Sequence, residues 1–237
     1  MMKNVDGNLL LIGELPMTGK ESLSLSRILI EKFLQKTGNI ERVLLIPSLP
    51  KGSSNQYIAK VAAVYKYLGY PLYSIYDEFD RVAAVKNAEA IAVVGEDIVS
   101  LLDAMNTLKI MTHIRDRCLQ GIPYMGWGAG SIAACPALMT TNDMPIVKCL
   151  NLIPFQINTP YVDENPAGNG GKSRDEKINE FLKENPDVCV TELETAGSFE
   201  ILKGKPTLIG ANCHIFRHEQ TPWKLLPGKL CDFLMAG

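Results

Sequence analysis

The sequence predicts an α/β protein with a doubly wound, mostly parallel sheet and helices on both faces. In its first half, short continuous apolar runs alternate with amphipathic stretches of helical period, the pattern of a parallel sheet covered on both sides. The chain has 237 residues, of which 46% are hydrophobic. This length suits one medium-sized core, and we therefore predict a single domain over residues 1–237.

Five apolar runs bounded by polar or turn residues predict the strands of this sheet. The predicted strands are Leu9–Ile12, Val43–Pro47, Leu72–Ile75, Ala90–Gly95 and Pro123–Trp127. The predicted helices between them are Leu23–Thr37, Asn55–Leu68, Glu78–Asn87 and Ile98–Leu119. Ligands of such sheets collect at the carboxyl ends of the strands, so the site is expected there.

The second half of the chain is less regular. It carries a predicted strand at Phe155–Asn158 and an exposed glycine-rich loop at Asp163–Lys172. A helix then begins at Ser173 with a capping box, in which Ser173 and Glu176 satisfy each other's backbone amides. The four short strands predicted after it are Val188–Thr191, Phe199–Leu202, Thr207–Ile209 and Cys213–Phe216.

Composition excludes several classes of partner. The 24 Lys and Arg residues are balanced by 26 Asp and Glu residues without a basic block, so no nucleic-acid partner is expected. The apolar run Leu9–Ile12 is too short for a signal peptide, and no run is long enough to span a membrane. Six separated cysteines without a C-x-x-C pair predict neither a metal site nor a redox pair. We therefore expect a cytoplasmic protein without a cofactor.

The turn after the fifth predicted strand has the pattern of a nucleophile elbow. This pattern is a strand, then Gly-x-nucleophile-x-Gly, then a helix. Here Gly126 and Gly130 flank a central Gly128, which carries no nucleophile. Taken alone, the same residues fit an ordinary glycine-rich turn from strand to helix equally well.

Five strings of residues occur in order through the middle of the chain. They are YMGWGAG at 124–130, ACP at 134–136, TTNDMPI at 140–146, LNLIPFQIN at 150–158 and GKSRD at 171–175. Together they resemble the peptidase E (α-aspartyl dipeptidase) family, over most of the chain and most densely between residues 87 and 185. The resemblance implies a fold akin to class I glutamine amidotransferases. It also implies a serine hydrolase that removes N-terminal aspartate from dipeptides.

At the catalytic positions this sequence departs from the family pattern. The resemblance places the nucleophilic serine at Gly128 and the histidine base at Pro160, whereas the acidic triad position is kept as Asp143. The glycine-rich oxyanion turn becomes Val94-Gly95-Glu96-Asp97-Ile98, so that two carboxylates, Glu96 and Asp97, stand where negative charge should develop. Glycine and proline supply neither a nucleophile nor a base.

The ligand-binding positions are better kept. The resemblance places Arg174 at the position that reads the substrate carboxylate. A cation in the first turn of a helix interacts unfavourably with the helix dipole. The planar guanidinium group of arginine, however, is well suited to bidentate binding of a carboxylate. Asn158 and Trp127, both within the matching strings, complete the predicted ligand-binding set. The expected ligand is a small acidic, peptide-like molecule.

Three functions follow as hypotheses. The leading one is a pseudo-enzyme that acts as a binding or interaction module. The alternative is an active dipeptidase or related hydrolase that uses a non-standard nucleophile, for which Ser131 is a candidate. The third is a structural subunit, for example of a homodimer.

Other reactive side chains have structural explanations. Cys135 is expected to pack in the core. The three histidines are predicted to be structural, His113 on a helix surface and His214 and His218 in or after a late strand. Glu194 is expected at the rim of the pocket.

Overall fold

The computed structural model describes residues 7–13, 20–49, 56–138, 147–159 and 173–235. The strands are β1 (Leu9–Ile12), β2 (Val43–Pro47), β3 (Leu72–Ser74), β4 (Ile91–Gly95), β5 (Tyr124–Gly128), β6 (Gln156–Asn158), β7 (Val190–Leu193), β8 (Ser198–Leu202), β9 (Lys205–Ile209), β10 (Cys213–Phe216) and β11 (Trp223–Leu225). The helices are α1 (Lys20–Thr37), α2 (Gln56–Tyr67), α3 (Arg81–Lys86), α4 (Ile98–Thr107), α5 (Met111–Leu119), α6 (Ala129–Ile132) and α7 (Arg174–Glu184), followed by a 3₁₀ turn at Asp232–Leu234.

Seven strands form the large sheet, in the order β3-β2-β4-β5-β1-β8-β9. Strands β1 to β5 run parallel to one another. The last two strands, β8 and β9, join antiparallel. The predicted fold class, an α/β fold with a mostly parallel sheet, is confirmed.

Helices cover both faces of this sheet, as the continuous apolar strands predict. On one face, α1 and α2 pack on alternate residues of the central strands, among them Leu10, Val94 and Trp127. The opposite face, which includes Leu11 and Val93, is covered by α3, α4 and α5. This second core continues into the irregular second half of the chain.

A second sheet was not predicted from the sequence. It has four strands in the order β11-β10-β7-β6, of which β6 and β7 are parallel and the others antiparallel. Its strands are three or four residues long, and their pairing spans up to dozens of residues of sequence. Pairing between strands so far apart in the chain cannot be predicted from the local periodicity of apolar residues.

The prediction of one long helix over Ile98–Leu119 is wrong, because the chain forms two helices there, α4 and α5. Lys109 adopts a left-handed conformation with φ 56°. The amide of Lys109 donates to Asn106, and that of Ile110 donates to Met105, which is the hydrogen-bond pattern of a Schellman cap. Glycine usually marks such a cap, and a lysine in its place concealed the break.

The capping box at Ser173 is present, with both reciprocal hydrogen bonds formed. Strand β7 lies two residues further along the chain than predicted. The predicted loop at Asp163–Lys172 lies outside the described residues. Among the helices of the described ranges, none combines the length and apolar character needed to cross a bilayer.

Candidate functional site

The carboxyl ends of the central strands come together at one edge of the large sheet. Gly95, the last residue of β4, is in register with Gly128, the last residue of β5. On the other side of β5, strand β1 ends at Ile12 opposite Trp127. This edge is where ligands of doubly wound sheets bind.

Gly128 has the backbone geometry of an elbow. Its φ of 54° and ψ of −114° lie in a region that residues with a side chain rarely adopt. A Cβ atom at this position would lie 2.9 Å from the Gly95 carbonyl oxygen and 3.0 Å from the Tyr57 hydroxyl. The place where a nucleophilic side chain would begin is therefore closed by a carbonyl and a phenol.

The flanking glycines are required by close contacts with the backbone. A Cβ at Gly126 would lie 2.6 Å from the Gly130 carbonyl oxygen, and one at Gly130 would lie 2.0 Å from the Val93 carbonyl oxygen. The backbone segments thus approach each other closely at both glycines. Ser131, the substitute nucleophile considered from the sequence, is fully buried. Its hydroxyl lies 2.7 Å from the carbonyl oxygen of Ile12.

A small pocket of about 110 Å³ opens at this edge. The described residues that line it are Tyr57, Gly95, Glu96, Gly128, Ala129, Ile132 and Thr159. Their only charge is that of Glu96, so these residues offer hydroxyl and carboxylate groups and no cation. Tyr57 could not be predicted as a residue of this pocket, because in the sequence it is one aromatic residue among others on an amphipathic helix.

The two carboxylates after β4 have different environments. Asp97 is the N-cap of α4, where its side chain accepts from the Ser100 amide at 2.8 Å. A hydrogen bond from the Ser100 side chain and this one from its amide lower the pKa of Asp97. Glu96 is exposed and lines the pocket. Of the two carboxylates predicted at the oxyanion turn, Glu96 is among the described residues that line the pocket and Asp97 is not.

Trp127 lies in the core, which corrects the prediction that it binds ligand. Its side chain is fully buried and packs against Tyr65, with ring centroids 6.4 Å apart. The reason is strand alternation, which turns the Trp127 side chain into the core beneath α2, although its backbone lies beside the carboxyl edge of the sheet.

The predicted ligand residues Arg174 and Asn158 meet on the second sheet, around a residue that the sequence did not single out. Glu192 of β7 is fully buried. The Nε–H group of Arg174 donates to Glu192 Oε1, and Asn158 Nδ2 donates to the same oxygen at 2.7 Å. Burial raises the pKa of Glu192, and the Arg174 guanidinium opposes this increase. In sequence, a glutamate in Thr-Glu-Leu is indistinguishable from a solvated strand residue.

A second polar group lies on the same face of this sheet. The Glu194 carboxylate lies 3.1 Å from His214 Nε2 and 3.1 Å from Lys224 Nζ, and it accepts from Asn212 at 2.9 Å. Burial raises the pKa of Glu194, but these hydrogen bonds outweigh it and leave the pKa below its ordinary value. The structure therefore gives Glu194 and His214 side-chain partners, and Glu194 is not among the described residues that line the pocket at Gly128.

The remaining candidates are placed as follows. Cys135 is buried and accepts a hydrogen bond from the Ile157 amide, and burial raises the pKa of its thiol well above the ordinary range. His113 is half-buried on α5, and His218 lies 3.7 Å from Glu219. The triad positions Asp143 and Pro160 lie outside the described residues.

Removing the Arg174 side chain is expected to destabilise the fold, because it leaves a buried carboxylate without its cation. We expect Arg174→Ala to lower the free energy of unfolding by about 2–3 kcal/mol at neutral pH, or about 5–10 °C in melting temperature. Because the folded pKa of Glu192 is raised above 4.5, stability is lost as pH rises through that pKa. The loss in Arg174→Ala should therefore be smaller near pH 5 than near pH 7.5.

Thermal denaturation of the single and double variants at both pH values measures this. In Arg174→Ala/Glu192→Gln neither position carries a charge, so part of the stability should return and the pH dependence of the loss should disappear. A double variant as unstable as Arg174→Ala at both pH values contradicts the ion-pair explanation.

Fold and site together define a class of protein. A mostly parallel α/β sheet that ends in an elbow between Gly126 and Gly130, with a small pocket over the turn, is the scaffold of elbow-type hydrolases. This scaffold alone does not identify the family, because one scaffold carries many activities.

The chain belongs to peptidase family S51, whose sequence profile matches residues 9–205. It is 32% identical over 234 residues to peptidase E of Nostoc sp., a match that covers 96% of each chain. It is 35% identical over 209 residues to peptidase E of Shigella sonnei, covering 86% of this chain and 90% of that relative.

Solved structures agree on the fold. A peptidase from an acI-B1 Actinobacterium superposes with a TM-score of 0.66 at 14% identity, covering 96% of this chain and 97% of the other. A putative peptidase E from Listeria monocytogenes EGD-e superposes with a TM-score of 0.54 at 14% identity, covering 93% and 98%.

Proposed function

We propose that this member of the peptidase E family binds a small acidic, peptide-like ligand without hydrolysing it. The observation that carries the proposal is the state of the elbow. Gly128 presents no nucleophile, and the space for a Cβ atom is taken by the Gly95 carbonyl and the Tyr57 hydroxyl. Acyl transfer by a serine mechanism needs an activated hydroxyl at this place.

Ser131 and Cys135, two nucleophilic side chains that follow the elbow in the sequence, are both buried. Ser131 is fully buried, and its hydroxyl lies within hydrogen-bond distance of two backbone carbonyls. Cys135 is sealed in the core, and its raised pKa keeps it a thiol, which is a poor nucleophile. The Glu96 carboxylate beside the elbow also opposes an oxyanion.

Arg174 supports an acidic ligand. Its contact with Glu192 uses the Nε–H group, and 30% of the side chain is exposed. Arginine carries five N–H donors, so the outer edge of the guanidinium can still receive a carboxylate. We place this function in the cytoplasm, since all six cysteines are buried and free, as expected of a reducing compartment.

An active dipeptidase is the second candidate. The observation in its favour is the match to proteins named peptidase E over 96% of this chain. This function needs a nucleophile other than the residue at position 128.

Purified protein with the dipeptide Asp-Leu separates these functions. We expect no hydrolysis. At about ten times its Kd, the dipeptide should stabilise the protein by about 1.4 kcal/mol, a rise in melting temperature of about 3–5 °C. The neutral dipeptide Asn-Leu is the ligand control, and Arg174→Lys is the protein control, because lysine keeps the charge but not the fork. Each variant is compared with its own ligand-free melting temperature.

Two outcomes contradict the proposal. Hydrolysis of Asp-Leu that a single substitution abolishes establishes an enzyme. No shift with any acidic dipeptide, in the wild type or in variants, favours a structural subunit.

A further inference from the structure

The guanidinium group of Arg174 is held at its Nε–H by the buried carboxylate of Glu192. Glu192 is fully buried, whereas 30% of the Arg174 side chain is exposed. The same Glu192 oxygen receives Arg174 Nε and Asn158 Nδ2, so the guanidinium plane is fixed at its Nε edge. Within the part of the chain that the structure describes, Glu192 Oε2 is buried and has no hydrogen-bond partner.

The charged and titratable groups around Glu192 come from each element packed against it. They are Arg174 and Asp175 of α7, Glu194 directly after its own strand, His214 and Cys213 of β10, and Lys224 of β11, whose ammonium binds Glu194. Asp175 and Arg174 act on Glu192 with opposite signs. Because Lys224 and His214 are within reach of Glu194, the cation bonded to Glu192 is Arg174.

A carboxylate ligand at Arg174 has to share this cation with Glu192. Two carboxylates on one guanidinium repel each other, and the buried one has no water to stabilise its charge. Protonation of the buried carboxylate at Oε2 would relieve this repulsion and leave Oε1 as the acceptor for Arg174 and Asn158.

We propose that Glu192 is a positioning residue that holds the Arg174 fork and couples the binding of a ligand carboxylate to the uptake of one proton. This proposal rests on the proposed function, in which Arg174 receives an acidic ligand. It goes beyond that function by naming Glu192 as the residue that sets affinity and its pH dependence. The site takes up carboxylates tightly in mild acid and weakly at higher pH.

The direction of the effect follows from linkage. Ligand binding places a further negative charge near Glu192, so the pKa of Glu192 is higher in the complex than in the ligand-free protein. Between these two values binding takes up a proton, and affinity falls by up to about tenfold per pH unit. Glu192→Gln keeps an oxygen acceptor for Arg174 and Asn158 but has no ionisable group at this position. It should therefore bind with nearly constant affinity.

Calorimetric titration of Asp-Leu at about pH 5.5 and about pH 7.5, where the carboxylates of the dipeptide are ionised, tests this. For the wild type we expect Kd at least about tenfold weaker at the higher pH, with about one proton taken up when buffers of different ionisation enthalpy are compared. Glu192→Gln should change by less than about threefold and take up no proton. His214→Gln is the matched control and should keep the wild-type pH profile.

The outcomes separate the two proposals. Equal pH profiles for the wild type and Glu192→Gln overturn the role of Glu192 and leave acidic-ligand binding intact. If Glu192→Gln binds Asp-Leu at about pH 7.5 and the wild type does not, the role of Glu192 is supported, because removal of the buried charge restores the affinity of Arg174 for the ligand carboxylate. If neither protein binds Asp-Leu at either pH, both proposals are wrong. Hydrolysis of Asp-Leu contradicts only the non-hydrolytic function, and the pH profile of KM then tests Glu192.

Discussion

Gly130→Ala is expected to cost more than about 4 kcal/mol of stability and to lower the melting temperature by more than about 10 °C. A Cβ at this position would lie 2.0 Å from the Val93 carbonyl oxygen. The obstacle is the backbone of β4 in the middle of the sheet, which has no rotamer to change. Helix α6 would have to lift from the sheet and lose its packing on both β4 and β5.

Gly95→Ala is the matched control at the same edge of the sheet. There the nearest atom to an added Cβ is the Ser48 Cβ at 3.4 Å, an ordinary contact. We expect a change within about 1 kcal/mol. Thermal melting and soluble yield of the two variants measure the difference. If Gly130→Ala is as stable as Gly95→Ala, the close approach of α6 to β4 is wrong.

Gly128→Ser is expected to lower stability by about 2–4 kcal/mol, or about 5–15 °C in melting temperature. Two costs add. The backbone at φ 54° and ψ −114° is strained for any residue with a side chain. The new Cβ also meets the Gly95 carbonyl oxygen at 2.9 Å and the Tyr57 hydroxyl at 3.0 Å.

Gly121→Ser separates these costs. Gly121 also has a positive φ, of 94°, but nothing lies within 4 Å of an added Cβ, so it carries only the backbone cost of about 1–2 kcal/mol. Tyr57→Phe combined with Gly128→Ser should recover part of the loss, because the substitution removes the Tyr57 hydroxyl at 3.0 Å but leaves the Gly95 carbonyl in place. We expect no hydrolysis of Asp-Leu in any of these variants. An unchanged or higher melting temperature for Gly128→Ser contradicts the strain explanation.

The elbow shows why part of this site can be predicted from sequence. Glycines at 126, 128 and 130 directly follow a continuous apolar strand, and only backbone crowding or a positive φ explains glycine at such a spacing. Both causes are present in the structure. Nothing in the sequence identifies the atoms that crowd the elbow, since Tyr57 and Val93 come from elements far away in the chain.

Arg174 shows the opposite case. Its position at the start of a capped helix can be predicted from Ser173 and Glu176, because a capping box involves residues only three apart. Its partner cannot be predicted in this way. Glu192 lies 18 residues further along the chain and reaches Arg174 only because α7 packs over the second sheet. The same packing places Asn158 beside them.

The sequence by itself determined the alternation of buried strands and amphipathic helices, and hence the parallel sheet and the glycine elbow at its edge. These features depend on the spacing of apolar residues and on backbone freedom, which are local properties of the chain. Only the tertiary structure decided that Glu192 lies buried behind Arg174, that Trp127 packs in the core, and that Tyr57 closes the elbow. These are contacts between distant segments, and their energy depends on burial and on the neighbouring charges, which are set when the sheets and helices pack together.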